Sequence, residues 1–239
     1  MTDPLRVLIH GASGRMGLAL LRLARENPAL SVVAAVSHSG RAIDGVAVPV
    51  FASADLARCP AFDIAIDFSL PEGFDSLLAA CVVRGAALVS GTTGLSDGQR
   101  ETLDAAGQVI PVLWASNFSL GVVVLEELSR RAARALSGWD ADVIEAHHIH
   151  KKDAPSGTAL TLGAAVADGR GSPPHYASLR AGDIVGEHTV QFSGPGERIE
   201  LTHRATNRDI FARGALSAAA HLRGRAAGNY RLADLIFAS

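Results

Sequence analysis

The chain has 239 residues, enough to bury a sizeable core as one large domain or two small ones. Hydrophobic residues make up 48% and charged residues 19%, the balance of an ordinary globular protein rather than a disordered or fibrous one. A formal charge of −2 argues against a general polyanion binder, so nucleic acid is not an expected partner and any basic cluster acts locally.

From the N-terminus the chain reaches the apolar strand RVLIHG at once, which leaves no room for a basic, apolar, cleavable signal. No later apolar run is long enough to span a bilayer, so no membrane is expected. A helix over about 14–26 follows, then the strands SVVAAVS and DIAIDFS, a helix after Pro71, AALVSGT, a helix after Ser96, and VIPVLWA. Apolar strands alternating with helices predict a parallel sheet covered on both faces, and right-handed crossovers make it doubly wound. Cys59 and Cys81, with no CxxC spacing, read as buried or incidental thiols of a reducing compartment. The expectation is a cytoplasmic protein without a metal site.

After Asn117 the rhythm changes. A long amphipathic helix over about 119–137 leads into DADVIEAHH, another helix begins near Ser156, and HTVQFSG and ERIELTHRAT alternate apolar and polar residues as half-exposed strands do. This predicts a second, α+β domain. GRGSPPH, 169–175, reads as a turn-rich surface loop, and FARGALSAAAHLRG as a helix returning to the first domain. The expected division is a first domain of 1–118 plus 208–239, with a second domain of 119–207 between.

RVLIHG followed by GASGRMG places Gly11, Gly14 and Gly17 where a first strand feeds a helix. Glycine suits the unusual dihedrals of that turn and lets a pyrophosphate approach bare N–H groups at the helix N-terminus, which makes the fold Rossmann-type. The alternative is a close packing turn without ligand. The acidic residue that would hold an adenosine ribose at the end of the second strand is replaced by Ser37, with His38 and Arg41 beside it. A carboxylate would repel a 2′-phosphate, whereas these residues accept one, so the pattern favours NADPH, with NADH also accepted. SGTTG at 90–94 and ASNFS at 115–119 end later strands, where a doubly wound sheet binds ligands; Ser96 and Ser119 can equally be helix caps.

In DADVIEAHHIHKKDAPSGTAL the strand ends near His147, so His147 and His148 would face opposite ways if it stayed regular. The run is therefore expected to bend, bringing His148, His150 and Lys151 toward the helix that starts after Pro155. That helix offers the N–H groups of Gly157 and Thr158 and the positive end of its dipole. Lysine, histidine and a helix N-terminus suit a small dicarboxylate or similar compact anion. A solvated basic loop with Ser156 as an ordinary cap is the plain alternative, and HHxH can chelate a metal, although no partner cysteine or carboxylate cluster supports that.

EAHHIHKKDAPSGTAL resembles the signature of the dihydrodipicolinate reductase (4-hydroxy-tetrahydrodipicolinate reductase) family, close to E-x-H-H-x-x-K-x-D-x-P-S-G-T-A. GASGRMG, IDFSLPEG, SGTTG, ASNFSLGV, AGDIVGEHTV and GERIELTHRA also fall in the family's order, over nearly the whole chain. The resemblance implies His147 as acid/base, Lys151 as proton donor, and His148, Gly157 and Thr158 as substrate contacts. On the cofactor side it implies Gly11, Ala12, Ser13, Gly14, Arg15, Met16, Gly91, Thr92, Thr93, Ala115, Ser116, Asn117 and Phe118. The chain departs from many members at Ser37, which bears on NADH preference, and in a short loop near 169–178, which bears on subunit contacts. The implied reaction is NAD(P)H-dependent reduction of 4-hydroxy-tetrahydrodipicolinate on the diaminopimelate route to lysine, by a homotetramer, with 1–118 plus 208–239 as the dinucleotide-binding domain and 119–207 as the substrate-binding and oligomerisation domain. Its rivals are another NAD(P)-dependent reductase or dehydrogenase of a small dicarboxylate and a non-catalytic NADP(H)-sensing module.

Overall fold

Short runs of Val, Ile, Leu and Ala can be buried on both sides only where helices cover both faces of a sheet, and the first half of the chain is built this way. The computed structural model describes residues 3–237. Two compact units divide it: one comprises the chain through Phe118 together with the segment from Phe211 onward, and the other is Ser119–Ile210.

In chain order the elements are β1 (Leu5–His10), α1 (Arg15–Ala24), β2 (Leu30–Ser37), β3 (Val50–Ala52), β4 (Ile64–Asp67), α2 (Pro71–Arg84), β5 (Ala87–Ser90), α3 (Asp97–Ala106) and β6 (Pro111–Trp114). Then come α4 (Leu120–Ala135), β7 (Asp140–His147), α5 (Gly157–Arg170), β8 (His175–Arg180), β9 (Gly186–Gly194) and β10 (Glu197–Ala205). The chain closes with α6 (Asp209–Leu222), β11 (Gly228–Tyr230) and α7 (Leu232–Ile236).

The first unit holds a seven-stranded sheet in the order β11-β6-β5-β4-β1-β2-β3, with all pairs parallel. The predicted doubly wound Rossmann-type sheet is borne out. The chain runs outward through β2 and β3, then returns to lay β4 against β1, so the direction of winding reverses between β1 and β4. Ligands of such sheets bind outside the carboxyl ends of the strands at that reversal. Leu8, Val36, Ala65, Leu77, Leu88 and Val112 form part of the core beneath it. Helix limits follow local chemistry: Pro71 opens α2 and Gly85, with φ 63°, closes it, while Ser96 and Gln99 form a reciprocal capping box on α3.

The second unit is the expected α+β layer, a four-stranded sheet in the order β10-β9-β7-β8. β7 pairs parallel with β8 and antiparallel with β9, which pairs antiparallel with β10. Alternation along β7 buries Ala141, Val143, Glu145 and His147 on one face, where Leu125 and Ala133 of α4 and Leu162 and Val166 of α5 complete a core with Val190 and Phe192. The opposite face presents Ile144 and the exposed Leu179.

Sequence expectations need correction at several points. Residues 169–175 are not one loop: Gly169 and Arg170 end α5, Gly171 caps it in the left-handed region, and His175 already begins β8. HYASLR lacks an apolar alternation, and its strand form comes from pairing with β7, from Asp142 opposite His175 to His147 opposite Arg180. The segment 169–178 is therefore the end of a helix, a cap and the start of a strand. HTVQFSG forms the interior strand β9, between β10 and β7, and the edges of this sheet are β10 and β8. β3, β11 and α7 carried no recognisable pattern because they are so short.

Candidate functional site

In the first unit the turn after β1 is built around glycine for steric reasons. Gly11 has φ +76°, and a Cβ there would lie 2.4 Å from the Phe68 carbonyl oxygen. A Cβ on Gly17 would lie 2.3 Å from the Gly11 carbonyl oxygen, so α1 can start this close to β1 only with glycine at that position. Gly14 is the N-cap of α1 and supplies no side-chain cap, and no acidic residue lies in the first turn. The positive end of α1 is thus offered to an outside anion. Ser13, Gly14 and Arg15 are exposed, Met16 is half-buried and Ala12 is buried with its N–H on the Val36 carbonyl.

The neighbouring strand ends belong to the same edge of this sheet. Ser37, at the end of β2, is buried and accepts the Gly40 N–H at 3.1 Å, while His38 and Arg41 are exposed. Gly91, Thr92 and Thr93 follow β5; Ala115, Ser116, Asn117 and Phe118 follow β6, with the Ala115 N–H on the Ser90 carbonyl. Phe68, after β4, ties these segments together and was not singled out from sequence. Its ring centroid lies 5.5 Å from that of Phe118, and a Cβ on Gly91 would meet the ring at 2.2 Å. Phe118 and the Thr92 side chain are themselves buried, so their side chains support the loops from within.

Below the strand ends lies a buried polar network. Asp67, fully buried at the end of β4, accepts His10 Nδ1–H at 2.9 Å, the Ser90 hydroxyl at 2.8 Å, the Thr92 hydroxyl at 2.7 Å and the Ser69 N–H at 3.1 Å. His10 Nε2 lies 3.3 Å from Ser53 Oγ. Burial alone would raise the Asp67 carboxyl; the hydrogen bonds from His10, Ser69 and Thr92 outweigh it and hold the group below its ordinary range. The loops that begin at Phe68 and Gly91 are both hung from this one carboxylate.

In the second unit the acidic and basic groups gather where β7 ends. Glu145, 1% exposed, takes a bidentate bond from Arg180, with Nη2 at 2.7 Å from Oε1 and Nη1 at 2.9 Å from Oε2. His147 Nδ1 stands 2.5 Å from Glu145 Oε2, and the Ser156 N–H reaches Oε1 at 3.3 Å. Burial pushes the Glu145 carboxyl up, but Arg180, Ser178 and His147 together bring it down to about 2. For His147 burial lowers the pKa, Glu145 works against it, and Lys151 and Arg180 add to the lowering; the net direction is down. His188 of β9 meets the His147 ring edge-on at 5.1 Å and pairs through Nε2 with Ser156 Oγ at 3.1 Å. Burial and the neighbouring His147 push His188 down to about 4, so it is neutral near pH 7.

Beyond His147 the chain turns as expected. The Lys151 N–H bonds the His148 carbonyl, and the His148 and His150 rings lie 6.2 Å apart. Lys151 Nζ contacts Asp153 at 2.8 Å. The Lys151 bond is the main cause that holds the Asp153 carboxyl down, and the Gly157 N–H contributes. A carboxylate of the chain itself therefore sits between Lys151 and the start of α5. Ser156 caps α5 by accepting the Ala159 N–H, and a Cβ on Gly157 would meet no atom within 4 Å. The structure brings His147, Lys151, Gly157 and Thr158 into one stretch, and adds Glu145, Arg180 and His188, which spacing alone did not reveal. Among the described residues no group of His, Cys, Asp and Glu is arranged to hold a metal ion, and no helix is long and apolar enough to cross a membrane.

Comparisons with known proteins show the family and the fold. Family models described as dihydrodipicolinate reductase, N-terminus, and dihydrodipicolinate reductase, C-terminus, match residues 5–118 and 121–236. A 4-hydroxy-tetrahydrodipicolinate reductase of Stenotrophomonas maltophilia (strain R551-3) is 69% identical over 98% of each chain. One of Xanthomonas campestris pv. campestris (strain B100) is 66% identical over 98% of this chain and 99% of the relative. A solved dihydrodipicolinate reductase of Paenisporosarcina sp. TG-14, with dipicolinate bound, shares the fold with a TM-score of 0.84 at 24% identity, over 95% of this chain and 97% of that one.

Proposed function

Because the chain belongs to the dihydrodipicolinate reductase family, we infer that it catalyses NAD(P)H-dependent reduction of 4-hydroxy-2,3,4,5-tetrahydrodipicolinate to 2,3,4,5-tetrahydrodipicolinate, in the diaminopimelate route to lysine. The observation that carries this reading in the site is one juxtaposition. A buried Glu145–His147 pair, Lys151 and the N-terminus of α5 fall within one short stretch, and a carboxylate, that of Asp153, already lies against Lys151. Supply of the substrate by the preceding synthase from aspartate semialdehyde and pyruvate, with oxidation of NADPH followed by absorbance, tests it.

Loss of the 4-hydroxyl as water leaves a conjugated imine. A nicotinamide cofactor, when bound, would supply a hydride to carbon 4 of this imine, with the displaced electron pair passing to the ring nitrogen, and one proton would complete the reduction. In our reading Lys151 donates that proton and stabilises the charge on the enamine, and His147 does acid/base work beside it. A substrate carboxylate takes the place of Asp153 at the Gly157 N–H and reaches the neighbouring Thr158, with His148 adjacent. The absence of a Cβ at Gly157 keeps that approach free.

For the cofactor, the bare N-terminus of α1 and the glycines at 11 and 17 fit a pyrophosphate, with Ser13, Arg15 and Met16 around it and Gly91, Thr93, Ser116 and Asn117 on the neighbouring loops. We assign NADPH as at least as good a donor as NADH, because no carboxylate stands at position 37 while His38 and Arg41 are exposed beside it. Ser37→Asp keeps an acceptor for the Gly40 N–H and adds a negative charge where a 2′-phosphate would lie. It is expected to shift the ratio of kcat/KM toward NADH by about tenfold or more, one charge repulsion of ~1.4 kcal/mol. A wild-type enzyme with a strong NADH preference that the substitution leaves alone would refute the assignment.

The edge strands β8 and β10 and the face carrying Ile144 and Leu179 support a homotetramer built on the second unit's sheet. Light scattering at micromolar concentration should give four times the monomer mass of 24.8 kDa, and a monomer would contradict it.

A further inference from the structure

Neither Glu145 nor Arg180 has a part in the steps proposed above, yet the two form a bidentate ion pair around a carboxylate that is almost fully buried. Both Glu145 oxygens are engaged, by Arg180, His147 and the Ser156 N–H, and Arg180 Nη2 also bonds the Asp153 carbonyl at 2.5 Å. An ionised carboxylate can only accept, so the nitrogen of His147 that faces it must carry the proton. The other nitrogen, Nε2, points past β9 at Gly186, where a Cβ would stand 3.1 Å from it.

We propose that Glu145, anchored by Arg180, is a positioning residue of the reaction: it holds the His147 proton on Nδ1 and leaves Nε2 as the nitrogen that exchanges a proton with the substrate. The proposal rests on the acid/base reading of His147. The groups that face His147 are Glu145 on its own strand, Arg180 of β8, His188 of β9, and Lys151 of the following loop. Only Glu145 is anionic, so it alone offsets the lowering by burial and by the cations. Arg180 keeps it ionised, and Gly186 keeps the space beside Nε2 clear. The same logic governs metal-bound histidines, where the carboxylate behind the ring sets tautomer and basicity.

The test combines a spectrum with a double-mutant cycle on the full-length enzyme. In protein labelled with nitrogen-15 histidine, the His147 signals, identified by their loss in His147→Ala, should show the proton on Nδ1 near neutral pH. Glu145→Gln should lower kcat by about tenfold to a hundredfold with KM changed less than about twofold, and should move the acidic limb of the kcat profile to lower pH, because the group that raises the His147 pKa is gone. In the His147→Ala background the same substitution should do almost nothing further. Arg180→Lys, which keeps a cation on Glu145, should leave the limb in place even if Glu145→Gln folds poorly. A proton on Nε2 in the wild type, an unshifted limb in Glu145→Gln, or an equal loss in both backgrounds would overturn the positioning role alone. An ordinary rate in His147→Ala would overturn the acid/base reading and this proposal with it.

Discussion

Lys151→Ala and His147→Ala are each expected to lower turnover by about a hundredfold or more, with affinity for NADPH near normal, as loss of a general acid does. The charge at Lys151 matters most when the substrate becomes an anionic enamine, so its removal costs the transition state more than the ground state. Thr158→Val should differ in kind, raising KM for the dicarboxylate with little change in kcat, because it removes only the side-chain hydroxyl donor at the anion site and keeps the backbone N–H. Steady-state rates with circular dichroism as a control for folding distinguish the cases. Near-normal rates for both alanine variants would make the basic stretch a solvated loop.

The second large effect belongs to the buried carboxylate of the nucleotide unit. Asp67→Ala removes the acceptor for His10, Ser90, Thr92 and the Ser69 N–H at once, and the first three of these residues are buried. Breaking a buried charged cluster from one side costs about 3–5 kcal/mol, so urea unfolding should show a loss of that order. The pH dependence has a definite sign. The folded-state pKa of Asp67 is depressed below its ordinary 3.8, so its stabilisation is complete above that value and is lost as pH falls through the lower folded-state value. Asp67→Ala should therefore be less sensitive to acid in that range than the wild type. A variant within about 1 kcal/mol of wild type would show that the network is dispensable.

What the sequence revealed and what it withheld follow from the range of the interactions. The glycine turn at 11–17, the strand end at His147 and the cap at Ser156 were legible because each is set by neighbours along the chain. His10 and Asp67 are 57 residues apart and meet only because β4 returns beside β1, a consequence of topology that no local pattern encodes. Arg180 is 35 residues from Glu145 and arrives on β8, a strand with no apolar alternation to announce it. Phe68 read as one more apolar residue at a strand end, and its bridging of Gly11, Gly91 and Phe118 needed the sheet order. The E-x-H spacing in EAHH held a hint of the buried pair, since residues two apart on a strand share a face.

Transfer of the label from cofactor to product tests the central claim most directly. With NADPH deuterated at both nicotinamide C4 positions and substrate generated by the preceding synthase, the tetrahydrodipicolinate formed should carry one deuterium, located at carbon 4 by magnetic resonance, in amount equal to the NADPH oxidised. Oxidation of NADPH without deuterium at carbon 4, or no oxidation with that substrate, would contradict the account.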